Sequence, residues 1–235
     1  MNTLLLLLLD SRAPAGAHHH SGGMEAAIGT GLVTGLAGVE DFCRTRLATS
    51  ARVSASFAAA ACRLAAQTAE RAAISPSQQM QWAGLDSEFE ARTPSQAMRA
   101  ASRQLGRGLW RLLRSVLVET DLAVWWRRCA APSPHQPLVL GAGVALAGGG
   151  PELAARAAAL SACAAPASAA ARLLGLDPFA VQAMLARLAP EIDDLAARSA
   201  DLASGPPSGL PADGAPAVDL LADFHLTTEV RLFAS

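Results

Sequence analysis

The chain has no lysine and no tyrosine, so all nineteen of its basic residues are arginine. Those absences exclude a Walker-type phosphate lysine, a Schiff-base lysine and a tyrosine general acid or base. Aromatic residues make up 4% of the sequence, charged residues 17%, and strand formers are scarce, which leaves little from which to build a sheet. A formal net charge of −1 provides no basic surplus for a nucleic-acid backbone. The four cysteines, Cys43, Cys62, Cys129 and Cys163, form no C-x-x-C pair and read as reduced, small hydrophobic residues. Leu4 to Leu9 is short, lacks a positive start and runs directly into Asp10, so it reads as a buried first helix rather than a signal peptide. No other apolar run reaches about 18 residues without polar interruption, so no membrane span is expected and the expected compartment is the cytoplasm.

Alanine and leucine at helical spacing fill the space left by these absences, and 235 residues suffice for one domain. A first helix should run to Asp10, a second from about Gly23 to Gly31, and a third beyond Gly38 through Phe42 and Leu47. An alanine-rich helix follows from Ser50 to Ala73, then a breaker at Ile74 to Ser77, then a helix from Gln78 to Ala91 carrying Trp82, Leu85 and Phe89. Thr93-Pro94-Ser95-Gln96 reads as a capping box with proline at the first helical position. The helix it opens places Met98, Ala101, Leu105, Leu109, Leu112 and Val116 on one face. Arg99, Arg103, Arg107, Arg111 and Arg114 lie opposite, and read as a solvated face with intramolecular carboxylate partners.

Gly141-Ala142-Gly143 is not a dinucleotide fingerprint, because Leu146 holds the third glycine position and no acid follows about twenty residues on. Gly141, Ala145 and Gly148 instead read as sites where helices approach closely. Pro151 to Gly175 forms one helix, and Asp177-Pro178 caps another with Val181, Met184, Leu188, Ile192 and Leu195 inward, which Pro190 should kink or divide. The result is an all-α, compact bundle of about eight to ten helices over residues 1–203. A mobile Gly/Pro-rich connector at 204–216 and a C-terminal docking segment at 217–235, with an amphipathic stretch from Val218 to Leu226, complete it.

Polar chemistry concentrates at the two ends. Pro14 to Glu25 places His18, His19 and His20 in a glycine-rich turn where Ser21 can cap the next helix and Glu25 complements its dipole. His18 and His20 could converge on one ion with His19 turned away, but two ligands are too few for a tight site. The readings left open are loop architecture with partner contact, transient handling of a metal ion that imidazole binds, such as nickel or zinc, and a stable metal site. At the other end, Arg231 stands beside Leu232 and Phe233, a combination suited to docking on another protein, or to folding back on its own domain. No H-E-x-x-H spacing or nucleophile elbow is present, so no catalytic residue is assigned.

Four ordered segments resemble the urease accessory protein family UreF. They are Asp10 to Glu25; Leu85-Asp86-Ser87-Glu88-Phe89-Glu90-Ala91-Arg92-Thr93-Pro94-Ser95; Pro134-His135-Gln136-Pro137-Leu138-Val139-Leu140-Gly141; and His225 with the ending Arg231-Leu232-Phe233-Ala234-Ser235. The chain departs from the family at His18, where tyrosine is common, and at Ala17, Met24 and Phe224. The resemblance implies an all-helical, homodimeric scaffold without chemistry or a cofactor of its own. It would work with a UreD/UreH-type protein and a UreG-type GTPase to support nickel insertion into apo-urease, ordering the GTPase or regulating it through an arginine. His18, His20, Ser21, Glu25, His225, Arg231, Leu232 and Phe233 would form the partner-binding surfaces. The competing reading is a stand-alone helical metal-dependent enzyme or small-ligand sensor that uses the His18–His20 loop.

Overall fold

Small residues set how closely the central helices approach. A computed structural model of the chain describes residues 3–10, 20–69, 75–116 and 133–225, with Ala69, Phe224 and His225 by backbone only. These residues form eleven α-helices and no strand: α1 (Thr3–Leu9), α2 (Met24–Gly29), α3 (Leu36–Ala48), α4 (Ser50–Ala69), α5 (Pro76–Ala91), α6 (Gln96–Val116), α7 (Gln136–Leu146), α8 (Pro151–Leu174), α9 (Pro178–Arg187), α10 (Ala189–Leu202) and α11 (Pro216–His225). Helix α4 is the axis, touching α3, α5, α7, α8 and α10. Its Ala51, Ala55, Ala58, Ala59 and Ala61 are fully buried. At Gly141 of α7 the two helices come so close that an added Cβ would stand 2.1 Å from Ala58 O and 2.8 Å from Cys62 N. Gly143 faces Leu113 of α6, where an added Cβ would stand 2.9 Å from the side chain. Gly148, by contrast, lies past the helix end at φ +78°, so it terminates α7 instead of admitting a neighbour.

Local signals hold where they compete with nothing. Pro190 divides its segment into α9 and α10 at Leu188, and Val181, Met184, Leu188, Ile192 and Leu195 are all buried. Asp177 caps α9, accepting from the Phe179 amide at 3.0 Å. The capping box, however, occurs at Ser75 and Gln78, where each side chain reaches the other's backbone. At the next boundary Ser95 is the cap, accepting from Met98 N at 3.1 Å, while Thr93 Oγ1 donates back to Phe89 O at 3.0 Å. Thr93 belongs to the end of α5, so the start of α6 moves two residues on.

Two helix faces differ from expectation. On α6 the deeply buried set is Ala97, Gly106, Gly108, Leu109 and Leu113, whereas Met98, Ala101, Leu105, Leu112 and Val116 are half-buried. An added Cβ at Gly106 would stand 2.0 Å from Pro134 O, so the chain entering α7 lies directly on that glycine. Helix α1 buries Leu5 and Leu8 against α6 and α7 but leaves Leu6 at 52% and Leu7 at 54% exposure. Helix α8 is long and apolar enough to cross a membrane by length and composition, yet α2, α3, α4, α7, α9 and α10 pack around it. The 204–216 segment lies against the body: Leu210 and Ala215 are buried, Arg92 Nη2 donates to Ser208 O at 3.1 Å, and Arg52 pairs with Asp213.

Substituting Gly141→Ala should overpack the α4–α7 crossing and lower the melting temperature, by about 1–3 kcal/mol of stability or more. Gly84→Ala, where an added Cβ meets nothing within 4 Å, should instead raise it by about 0.5–1 kcal/mol. Thermal melts of both variants followed by circular dichroism check the pair.

Candidate functional site

Pro166 lies inside α8 and has no N–H to offer Ala162 O one turn earlier. Arg46 of α3 supplies the missing donor: Nε bonds Ala162 O at 3.0 Å, and Nη1 bonds Gly22 O at 2.8 Å. One guanidinium therefore satisfies the carbonyl that the proline frees and fastens the N-terminal loop to the core helix. Gly22 and Gly23 turn the loop through the left-handed region, at φ +58° and +90°, which other residues reach only with strain. Arg46 is 7% exposed, and burial works against its charge.

The C-terminal helix arrives at the same place. Asp223 Oδ1 accepts from Ser95 Oγ at 2.6 Å and from Ala97 N at 3.0 Å, so α11 is tied to the start of α6. Val218 packs so near Gly23 that an added Cβ there would lie 3.5 Å from its methyl. Helices α2 and α11 are in contact, so the loop that precedes α2 and the C-terminal helix share one surface. Beneath it is a cavity of about 170 Å³ lined by His20, Gly22 and Arg46 on one side and Ala215 and Asp219 on another. Asp219's carboxyl is raised above its usual range by burial and by the charge of Asp223.

Several expected contact residues lie deeper than the sequence implied. His20 is 6% exposed and Ser21 fully buried. Ser21 does not cap α2: Gly23 is its N-cap, Ser21 Oγ has no partner, and the turn closes through Met24 N donating to Ser21 O at 3.2 Å. Glu25, in the first turn of α2, is half-buried. His18, Arg231, Leu232 and Phe233 lie outside the described residues, as do Cys129 and the side chain of His225. Cys43, Cys62 and Cys163 are buried free thiols. Among the described residues no three His, Cys, Asp or Glu side chains gather as a metal-ligand set.

A second polar cluster was not foreseen as a unit. Asp86 and Glu90 of α5, Arg103 of α6 and His135 at the N-cap of α7 form one network. Arg103 Nη2 bridges Asp86 at 3.0 Å and Glu90 at 2.5 Å, while His135 meets Glu90 Oε2 at 2.7 Å and Ser102 Oγ at 3.1 Å. The His135 ring is fully buried and lies 4.7 Å from the Phe89 ring. Burial first, and Arg103's charge second, hold its imidazole below the ordinary value of 6.5, against the pull of Asp86 and Glu90. Burial opposes ionisation of Glu90, but hydrogen bonds from Arg103 and His135 prevail and lower its pKa. The arginine stripe of α6 is accordingly divided. Arg99 pairs with Glu90 at 3.1 Å and Arg103 is fully engaged, Arg107 reaches only Ser133 Oγ, and Arg111 and Arg114 are exposed.

The comparisons with known proteins agree with one another. The family model described as UreF matches residues 33–189. The chain is 40% identical over 232 residues to a urease accessory protein UreF of Mycobacterium marinum, covering 99% of this chain and 98% of that protein. It is 41% identical over 234 residues to a UreF of Mycobacterium sp. strain JLS, with 99% and 98% covered. A Mycolicibacterium vanbaalenii UreF is 42% identical over 239 residues, with 98% and 97% covered.

The depressed pKa of His135 fixes a direction for acid sensitivity. The unfolded chain takes up this proton near the ordinary value of 6.5 and the folded chain only at lower pH, so His135 removes stability as pH falls through that window. Between pH 7 and 5 the folding stability of the protein should therefore fall more steeply than that of the His135→Gln variant, by up to ~1.4 kcal/mol per pH unit. Denaturant titrations at stepped pH measure the two slopes. Equal slopes would mean that His135 does not titrate between the two states.

Proposed function

This chain belongs to the UreF family of urease accessory proteins, and we propose that it is a cytoplasmic, homodimeric scaffold on which a UreD/UreH-type protein and a UreG-type GTPase assemble to deliver nickel to apo-urease. Its general role is in urease maturation, as an accessory protein and not an enzyme. The observation that carries the scaffold reading is the packing of α2 and α11 into one face, with Arg46 holding the loop before α2 and Asp223 holding α11. That face is built from rigid helices, which suits recruitment better than a floppy tether does. Leu32, in the bend after α2, and Leu220 of α11 are 68% and 71% exposed. Exposed apolar side chains of this size are anchors that a partner protein covers.

The tail residues Arg231, Leu232 and Phe233 and the loop residues His18, His20, Ser21 and Glu25 complete this docking surface in the proposal. His225 joins them as the last residue of α11. Nickel is cargo here, with His18 and His20 as transient contacts along its route. Because His20 is 6% exposed and Ser21 fully buried, contact with either requires the loop to open. The assembly couples the nucleotide state of the GTPase to metal release through differential affinity.

Copurification from cells carrying the urease proteins provides the test. Wild-type chain should bring down the UreD/UreH-type and UreG-type proteins, and its deletion should leave urease without nickel. The exposed pair Leu32→Ser and Leu220→Ser should keep the helical spectrum but weaken capture by about tenfold or more, ~1.4 kcal/mol, with urease nickel content falling in step. Undiminished capture by the folded double variant would remove this face from the scaffold. GTP turnover by the partner, with wild-type chain and with Arg231→Ala, separates ordering of the GTPase from stimulation of its hydrolysis.

A further inference from the structure

The charge of Arg46 lacks a carboxylate counterpart in contact. Other partly buried arginines of this region have one: Arg92 pairs with Glu88, and Arg103 with Asp86 and Glu90. Arg46 is 7% exposed, its two hydrogen bonds go to neutral carbonyls, and among the described residues no Asp or Glu oxygen lies within 4 Å of it. A cation removed from water is costly unless an opposite charge meets it. Asp219 shares the cavity wall but acts on Arg46 only through space. A guanidinium carries five N–H donors, and the two carbonyls occupy only part of that set. Ser50, also in the wall, has a buried hydroxyl with no hydrogen-bond partner.

Arg92, Asp213 and several neutral polar side chains also line the cavity, Arg92 paired with Glu88 and Asp213 with Arg52, while Val53, Phe89, Met98, Ala101, Leu105 and Pro137 give it an apolar stretch from α4, α5, α6 and α7. A partly open cavity with a guanidinium that no carboxylate of the described residues contacts, beside an apolar stretch, matches a ligand that is charged at one end and apolar at the other. We propose that this cavity is a binding site for a small organic anion, a carboxylate on a short apolar body, with Arg46 holding the carboxylate and the α4–α6 wall receiving the body. An inorganic oxyanion fits less well, because it would leave charge and hydration against those apolar walls. Because Arg46 also fastens Gly22, an anion on its free donors would stiffen the loop to which it is bonded.

This inference does not rest on the scaffold reading, and its test needs no partner protein. Full-length chain is titrated by calorimetry and by thermal shift with butyrate, n-butanol and inorganic phosphate, ionic strength being held constant with sodium chloride. Butyrate should bind saturably at one site and raise the melting temperature, at least about tenfold more tightly than butanol or phosphate. Arg46→Gln should weaken butyrate by about tenfold or more. Because that change could also loosen the loop, Ala101→Leu provides a second reading: it fills the apolar wall while sparing both Arg46 hydrogen bonds, and should abolish butyrate binding in a protein with an unchanged helical spectrum. Equal binding of butyrate and butanol, phosphate binding as tight as butyrate, or a folded Ala101→Leu variant that still binds butyrate would each overturn the proposal.

Discussion

One guanidinium joins the interior of this protein to its N-terminal loop. The proline inside α8 leaves a backbone carbonyl without its helical donor, in the middle of the core, and Arg46 fills that gap with one nitrogen while holding Gly22 with another. Satisfying a buried carbonyl is a requirement of folding, and here the same side chain that meets it sets the position of the N-terminal loop. Shape of the core and presentation of the loop are therefore one constraint. The arrangement places a charge where water is scarce, on the wall of the cavity that separates the loop from α6.

The second constraint is the network that joins α5, α6 and α7. Asp86, Glu90 and His135 come from two of the segments whose order along the chain resembles the UreF family, and Arg103, from the helix between them, joins them. Each is within hydrogen-bond reach of another, and the imidazole is wholly enclosed. Burial of so many polar groups is tolerable because their bonds are made within the cluster. Arg103 ties α6 to α5 through this cluster, and Asp223 separately ties α11 to the start of α6.

Legibility in the sequence followed the range of the interaction. The division at Pro190, the Asp177 cap and the inward residues from Val181 to Leu195 were readable because each depends on neighbours a turn or two away. The Ser75–Gln78 capping box was equally local, and the breaker residues around it hid a signal that was present. The choice of Thr93 over Ser95 failed because Thr93 finds its partner at the end of the preceding helix. On α6, the hydrophobic stripe contained buried Leu109 and five half-buried residues but missed Ala97, Gly106, Gly108 and Leu113. Gly106 and Gly108 carry no hydrophobic signal, yet they are buried because other parts of the chain lie against the helix there.

Composition and periodicity by themselves determined an all-helical protein with closely packed helices, since alanine, leucine and their spacing act through local geometry. Ordered similarity along the chain added its family. Which leucines of α1 face outward, how Ser21 came to lie inside, and how Arg46 serves Ala162 and Gly22 at once were decided only by tertiary structure. The last of these depends on Arg46 and Ala162, 116 positions apart, meeting at hydrogen-bond distance. No periodicity within a single segment carries that information, because a side chain's partner across the fold leaves no repeat in its own neighbourhood.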